Sequence, residues 1–153
     1  SWMPKTNNGF FLRAESFYQF ASHLDKLQEE DKRTLDAYGG KSLHEQSHGE
    51  SFLSLFNNRF NGNAIYLLDE PEAALSPQRQ LALLKIMHDL VREGSQFIIA
   101  THSPILLGFP NATIYHFNET IEEMAYEDVP HVQLTKYFLT NKERFLHQLL
   151  KEE

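Results

Sequence analysis

Two uninterrupted apolar runs, separated by one helical stretch, constrain the fold of this chain more than any other feature. Residues 64–68 (Ala-Ile-Tyr-Leu-Leu) and 97–100 (Phe-Ile-Ile-Ala) have the length and composition of strands buried on both faces, as in a parallel sheet. Between them, Ser76 and Pro77 predict a helix start, apolar residues recur at helical spacing, and Gly94 predicts the helix end. This order of strand, helix and strand predicts a βαβ unit, and therefore an α/β fold.

The rest of the chain predicts elements that surround this unit. Before it lie a short strand at residues 9–12, an amphipathic helix at 16–30 and a helix from His48 to about Arg59. After it come a hairpin formed by 113–117 and 121–126, and a tail from His131 that is helical in two pieces, divided near Thr140-Asn141. We therefore expect one domain over residues 1–153. It should contain a mostly parallel sheet with flanking helices, a late β-hairpin and a helical C-terminus.

Composition excludes several classes of protein. The chain has 14 Lys and Arg residues against 21 Asp and Glu residues, a net charge of −7, which argues against a broad phosphate-coating surface for nucleic acid. No apolar run approaches the roughly 18 residues that a membrane-spanning helix needs. Cysteine is absent, which rules out disulfides and thiolate chemistry. A cytoplasmic location is the expectation.

Polar residues follow both predicted strands at the edge where α/β sheets bind ligands. Asp69 and Glu70 follow the first strand, and Thr101, His102 and Ser103 follow the second. Asp69 could hold Mg²⁺ through water, Glu70 could act as a general base, and His102 could donate to a phosphate. The alternative is a solvated acidic turn at Asp69-Glu70 and an ordinary turn histidine at His102.

Four short segments together resemble motifs of the ABC-type ATPases, the family that includes SMC-like DNA-repair ATPases. Residues 67–71 (Leu-Leu-Asp-Glu-Pro) resemble the Walker B segment, 74–76 (Ala-Leu-Ser) the D-loop, and 100–103 (Ala-Thr-His-Ser) the switch-histidine loop. Upstream, residues 46–50 (Gln-Ser-His-Gly-Glu) are similar to the signature Leu-Ser-Gly-Gly-Gln/Glu. Gln46 replaces the leucine, and His48 replaces the first glycine. The order and spacing of all four segments agree with the family.

The resemblance implies ATP and Mg²⁺ as ligands and ATP hydrolysis as the activity of the parent protein. Asp69 would organise the Mg²⁺ shell, Glu70 would activate the attacking water, and His102 would contact the γ-phosphate. The implied nucleotide-binding residues are Ser47, His48, Gly49 and Glu50 of the signature and Ser76 of the D-loop. The signature and the D-loop together would form the interface of a homodimer. Ser47 and Glu50 also form an S-x-x-E capping box, and a helix N-terminus is an anion site in its own right.

The phosphate-binding motif G-x-x-x-x-G-K-[ST] is missing. Gly40-Lys41-Ser42 matches its end, but Leu35 stands where the first glycine belongs. The resemblance therefore implies that this chain is the C-terminal lobe of a longer ATPase, whose Walker A motif lies upstream. A non-catalytic dimerisation or regulatory lobe is the alternative. Transport, DNA-repair, RNA-linked and phage-defence roles are all compatible with these residues, and none of the motifs specifies a nucleic-acid or membrane partner.

His44-Glu45-Gln46-Ser47-His48 also matches the zinc-protease motif H-E-x-x-H. That chemistry needs both histidines on one helical face. Gly39-Gly40 before the motif, Gly49 after it and Ser47 as a helix cap argue against a continuous helix here. A zinc metallopeptidase is therefore the distant alternative.

Overall fold

Three parallel strands and the helices beside them form the first part of the chain. The computed structural model describes residues 9–13, 48–58 and 63–152. The described elements are strand β1 (Gly9–Arg13), helix α1 (His48–Asn58), strand β2 (Ile65–Asp69), helix α2 (Pro77–Arg92), strand β3 (Gln96–Ala100), strands β4 (Ile114–Phe117) and β5 (Ile121–Met124), and helices α3 (Pro130–Thr140) and α4 (Lys142–Leu149). The chain divides into two compact units, Ser1–Thr101 and His102–Glu153.

The sheet of the first unit has the order β1-β2-β3, and both pairs of neighbours are parallel. Helix α2 connects β2 to β3, so the predicted βαβ unit is confirmed. Phe11, Leu67 and Ile98 lie in one register row across the three strands, and Arg13, Asp69 and Ala100 lie in the last row. The fold class α/β is therefore confirmed, and the carboxyl ends of three strands are aligned at one edge.

The ends of helix α2 follow the local sequence signals. Ser76 caps its N-terminus with an Oγ that accepts from Arg79 N at 3.3 Å, and Pro77 occupies the first turn. After the helix, Gly94 has a φ of 102°, a left-handed conformation that suits glycine. Both predicted boundaries of this helix are confirmed. Helix α1, at His48–Asn58, agrees with its prediction to within one residue.

The core of the first unit lies on one face of the sheet. Its apolar side chains come from strands, from helices and from the segments that connect them: Leu12, Phe52, Leu55, Phe56, Ala64, Tyr66, Leu68, Leu75, Leu83, Met87 and Leu90. Tyr66 is at its centre, stacked on Phe97 with ring centroids 4.8 Å apart and tilted against Phe56 at 5.9 Å. Burial of such large aromatic side chains is the main driving force for packing the helices on the sheet.

The opposite face of the sheet differs from the sequence prediction of strands buried on both faces. Phe11 is 60% exposed, Leu67 36% and Ile98 56%. Successive side chains of a strand point to opposite faces, so the apolar run supplies one buried row and one exposed apolar row. The prediction of a parallel sheet is correct, and the prediction of burial on both faces is wrong for this chain.

The second unit contains the predicted hairpin and the two predicted helices. Strands β4 and β5 pair antiparallel, with Ile114 opposite Met124. Helices α3 and α4 meet at Asn141, where the ring of Phe138 packs edge-on against Phe145 at 5.5 Å. Within the described ranges, no helix has the length and apolar character that crossing a membrane requires.

Some predictions fall outside the described residues. They are the amphipathic helix at 16–30, the loop Gly39-Gly40-Lys41-Ser42, and residues 44–47 of the signature and of the H-E-x-x-H motif. These stay predictions.

Burial in the core affects the protonation of one phenol. Removal from water raises the pKa of Tyr66, a hydrogen bond with Ser95 opposes this shift, and the negative charge of Glu93 adds to it. A folded-state pKa above the unfolded value of about 10 means that the folded state holds this proton more tightly. The resulting stability is fully present below about pH 10 and is lost as the pH rises through the folded-state pKa.

We expect Tyr66→Phe to weaken the loss of stability at alkaline pH, because it removes the phenol that the folded state keeps protonated. Urea unfolding between about pH 8 and pH 11 measures this as a shallower decline in the free energy of unfolding. Tyr115→Phe is the matched control, since Tyr115 is exposed on β4, and should keep the wild-type decline. An unchanged slope in Tyr66→Phe would contradict the assignment.

Candidate functional site

The carboxyl ends of β2 and β3 are fixed side by side. Asp69 and Ala100, the last residues of the two strands, are in register. One residue farther, Glu70 N donates to Ala100 O at 2.8 Å. The pairing therefore continues past the end of β2 and holds Glu70 beside the end of β3. Ligands of open α/β sheets bind at this edge, which makes it the candidate site.

Asp69, the predicted magnesium ligand, lies at this edge and has a charged neighbour. Arg13 at the end of β1 donates from Nε to Asp69 Oδ2 at 2.9 Å. The side chains are 54% and 32% exposed, so the ion pair contributes little to stability. Its effect is local, because a guanidinium is placed against one oxygen of the carboxylate. Arg13 was not predicted as a site residue, since nothing in the sequence relates it to a position 56 residues away.

Glu70, the predicted general base, is exposed and has a strained backbone. Its φ and ψ are 49° and 53°, the left-handed helical region. For a residue with a side chain this conformation costs about 1–2 kcal/mol, and the following Pro71 favours extended backbone instead. Two hydrogen bonds enforce it: the bond from Glu70 N to Ala100 O, and one from Ala73 N to Glu70 O at 3.0 Å. Enforced strain of this kind clusters at functional sites.

Glu72 is a third carboxylate in this segment, and sequence reasoning missed it. It lies in a 3₁₀ turn, Pro71–Ala74, directly after Glu70. Thr101, the first residue after β3, donates from its hydroxyl to Glu72 Oε2. The other oxygen, Oε1, is buried and accepts no hydrogen bond from any residue in the described ranges. The two loops after β2 and β3 are thus connected by a side-chain hydrogen bond as well as by backbone.

Ser76, the predicted D-loop residue, has a structural role that is evident from its contacts. Its hydroxyl caps helix α2, as described above, and it follows the buried Leu75, whose carbonyl accepts from Gln80 Nε2 at 3.1 Å. The helix start is therefore well fixed. Its role toward nucleotide stays a prediction.

The signature segment is described in part. His48, Gly49 and Glu50 form the first turn of helix α1, and the Glu50 side chain is exposed. Ser47 lies outside the described residues. A helix begins where the capping box predicts it, which agrees with a role for these amides as anion donors. Anion binding itself stays a prediction.

His102, the predicted phosphate-contacting residue, belongs to the second unit and has a partner there. Its Nδ1 lies 3.0 Å from Nε2 of His131, which is in the first turn of helix α3. The neighbouring Ser103 is buried, and its Oγ accepts from Ile105 N at 3.2 Å and from Leu106 N at 3.1 Å. Ser103 therefore has a turn-forming role, and His131 is a residue that the sequence pattern did not single out.

The described residues hold no group of three or more His, Asp or Glu side chains that could enclose a metal ion. Three ligands are what a catalytic zinc site needs from the protein. Mg²⁺ commonly uses only one or two carboxylates, together with water and phosphate oxygens. His44 of the H-E-x-x-H motif lies outside the described residues, so the zinc alternative is not tested here.

Comparison with known proteins supports the resemblance drawn from the motifs. The family model of the AAA ATPase domain matches residues 44–107, which is less than half of the chain and includes the signature, the two strands and the switch-histidine loop. UvrABC system protein A of Lactococcus lactis subsp. lactis (strain IL1403) is 27% identical over 101 residues. This match covers 60% of the chain and 11% of that protein, so the chain corresponds to a small part of its relative. No solved structure matches the chain.

Both matches agree with the class of protein that the motifs predicted. They support the resemblance to ABC/SMC-like P-loop NTPases. The resemblance is confirmed at this level. The roles of individual residues are not tested by these matches.

We expect Thr101→Val to lower the free energy of unfolding by about 1–3 kcal/mol, because Glu72 Oε2, in a part-buried hydrogen bond, then loses its hydroxyl donor. Thr101→Ser keeps the hydroxyl and should retain most of the stability. Chemical denaturation of the three proteins measures the difference.

The double variant Glu72→Met/Thr101→Val separates a lost partner from lost packing. Removing both polar groups should recover much of the loss, since no carboxylate is then left without its donor. The loss of unfolding free energy in the double variant is compared with the losses in Glu72→Met and Thr101→Val alone. If it equals their sum, the hydrogen bond does not couple the two loops.

Proposed function

We propose that this chain forms part of a Mg²⁺-dependent ATPase of the ABC/SMC-like class, and that Asp69 and Glu70 carry the hydrolytic chemistry. The observation that supports this most directly is the edge formed by β2 and β3. There Asp69 and Glu70, which match the Walker B segment, stand at the end of β2. Strand β2 is in register with β3, the strand that leads to the switch-histidine loop. The strained backbone of Glu70 adds support, because a purely structural turn would gain by placing glycine there.

The carboxylates at this edge fit a hard cation such as Mg²⁺. Asp69 offers a carboxylate beside the sheet edge, and the buried Glu72 Oε1, which accepts no hydrogen bond from the described residues, adds an oxygen in the same segment. Asp69 would hold the ion, chiefly through its water shell. When bound, Mg²⁺ would neutralise charge on the β- and γ-phosphates of ATP.

Glu70 would act as the general base toward the attacking water. Its side chain is exposed, so it can reach a water outside the fold, and the two backbone hydrogen bonds fix the position from which it projects. A carboxylate positioned in this way orients the water and accepts its proton as the water attacks the γ-phosphorus in line with the leaving ADP. His102 would donate a hydrogen bond to the γ-phosphate as negative charge shifts during the reaction.

The phosphate cradle would come from a segment of the parent protein upstream of these motifs. The exposed apolar row of Phe11, Leu67 and Ile98 supports this, since parallel sheets in α/β proteins are ordinarily covered on both faces. We propose that the lobe carrying the Walker A motif covers this row. The same lobe would bring the positive charges and backbone amides that the polyphosphate needs.

The signature residues would complete a nucleotide site in a second copy of the protein. Gly49 and the amides of the first turn of α1 lie at a helix start, where an anion is favoured. Ser47, His48 and Glu50 of the same segment, together with Ser76 of the D-loop, would contact the nucleotide held by the other subunit. ATP would then act as the bridge between two subunits of a homodimer.

We expect Glu70→Gln in the full-length protein to retain ATP binding and to lose turnover, because the amide preserves the shape of the side chain but accepts no proton. Phosphate release and equilibrium binding of MgATP measure the two effects separately. A general base contributes about 10²- to 10⁴-fold to the rate, so kcat should fall by at least about 100-fold.

Glu143→Gln is the matched control for the loss of a carboxylate, since Glu143 is exposed on α4 and takes no part in the proposed site. It should leave kcat unchanged. Wild-type turnover in Glu70→Gln would remove Glu70 as the base and favour a non-catalytic dimerisation or regulatory role for this lobe.

We expect Gly49→Leu to prevent ATP-dependent dimerisation, because a bulky side chain would stand between the helix amides and the phosphate of the other subunit. Analytical ultracentrifugation with MgATP, in the Glu70→Gln background to prevent hydrolysis, measures the dimer. Ala82→Leu adds a similar bulk to an exposed position of α2 and should leave the dimer intact. Normal dimers in Gly49→Leu would discredit the signature assignment.

A further inference from the structure

Two histidine rings in the second unit are in direct contact. His102 Nδ1 and His131 Nε2 are 3.0 Å apart, and the ring centroids are 4.7 Å apart with the planes at 75°. The distance is that of a hydrogen bond between ring nitrogens, and the edge-on orientation directs a nitrogen of one ring at the other. His131 is separated from His102 by 29 positions in the chain, so tertiary structure brings the two together.

The first turn of helix α3 is fixed in a way that presents His131 to this contact. Val129 and Val132, on either side of it in the chain, are 3% and 9% exposed, while the His131 side chain is exposed. The burial of the two valines fixes the rotation of the turn about its axis. His131 is therefore held in place by its neighbours and not by its own burial.

The loop that carries His102 is held within the same unit. Tyr126, in the turn before α3, donates its hydroxyl to Pro104 O at 2.6 Å. The buried Ser103 accepts hydrogen bonds from the amides of Ile105 and Leu106, where the turn at Leu106–Gly108 begins. Both sides of the His102–His131 contact thus have independent anchors, which keep the two rings at a hydrogen-bonding distance.

A hydrogen bond between two ring nitrogens needs one hydrogen and one lone pair. If His102 Nδ1 carries the hydrogen, the Nε2 of a neutral His102 has a lone pair and repels an anion. If His131 Nε2 carries it, the hydrogen of a neutral His102 is on Nε2, where it can be donated. The partner of one ring nitrogen therefore determines what the other nitrogen can do.

We propose that His131 is a positioning residue for His102: its Nε2–H donates to His102 Nδ1 and so keeps the hydrogen of neutral His102 on Nε2. The phosphate contact of His102 rests on the proposed function, and it requires this tautomer because a neutral imidazole donates from one nitrogen only. Such a bond between exposed rings adds little to stability. Its effect is on which atom of His102 carries the hydrogen.

The tautomer of His102 can be measured in this chain without nucleotide. Nitrogen-15 NMR of histidine-labelled protein at about pH 8.5, where ordinary histidines are neutral, distinguishes a ring nitrogen that bears hydrogen from one that does not. The His102→Asn variant identifies the His102 signals. We expect hydrogen on Nε2 and a lone pair on Nδ1 in the wild type, and the reverse would overturn the proposal.

Three replacements of His131 test the polarity of the contact. His131→Gln offers an N–H donor beside a carbonyl acceptor and therefore permits the wild-type tautomer, which should persist. His131→Glu offers only acceptors and should move the His102 hydrogen to Nδ1. His131→Phe offers neither and should give a mixture. His147→Phe, at an exposed position of α4, is the matched control and should leave His102 unchanged.

The comparison of Gln with Glu carries the test even if the Phe variant does not fold, since both side chains are polar, similar in size and placed at an exposed position. If His102 keeps the same tautomer in His131→Glu as in His131→Gln, His131 does not determine it and the proposal is wrong.

Turnover of the full-length ATPase separates positioning from a structural role. We expect His131→Glu and His131→Phe to lower kcat on the order of tenfold or more, with a smaller change in KM for ATP and with recovery in His131→Gln. Equal kcat in all three variants would overturn the positioning role. The Glu70→Gln result bears on the proposed function alone, so a failure there leaves the tautomer measurement as an independent test of the pair.

Discussion

The hydrogen bond from Glu70 N to Ala100 O is the contact on which the geometry of the candidate site depends. It extends the parallel pairing of β2 and β3 by one residue, and it does so at 2.8 Å, the distance of a well-formed bond. With Glu70 held there, its backbone turns into the left-handed region and the chain enters the 3₁₀ turn at Pro71–Ala74. That turn brings Glu72 beside Thr101. A single continuation of the sheet thus arranges carboxylates from one loop against the start of the next.

Elements defined by short-range signals were predictable from the sequence. Helix α2 has a serine cap, a proline in its first turn and a glycine after its end, and each signal acts within a few residues of the boundary that it determines. The hairpin and the division of the C-terminal helices at Asn141 are local in the same sense. Asp69, Glu70 and His102 were identifiable as candidates because they follow apolar runs that predict strands, and ligands bind beyond strand ends.

The contacts between side chains at the site could not be predicted from spacing. Thr101 and Glu72 are 29 positions apart, as are His102 and His131, and Arg13 and Asp69 are 56 apart. None of these residue types is unusual in a turn or at a strand end. The register of the parallel strands, which brings Arg13 opposite Asp69, depends on which side chains pack in the core. An apolar run likewise predicts a strand that can be buried on both faces. It does not predict whether residues of this chain pack on the face that carries Phe11, Leu67 and Ile98.

The distribution of charge determines what the proposed polyphosphate site at this edge would need from elsewhere. Asp69, Glu70 and Glu72 place three carboxylates within four positions, and Arg13 is paired with the first of them. A nucleotide carries several negative charges, and like charges at short distance repel strongly where water is partly excluded. Binding at this edge is therefore favourable only with a cation between the carboxylates and the phosphates, and with donors on the far side of the phosphates. The first requirement supports the proposal that Asp69 holds Mg²⁺, and the second supports the proposal that another lobe supplies the phosphate cradle.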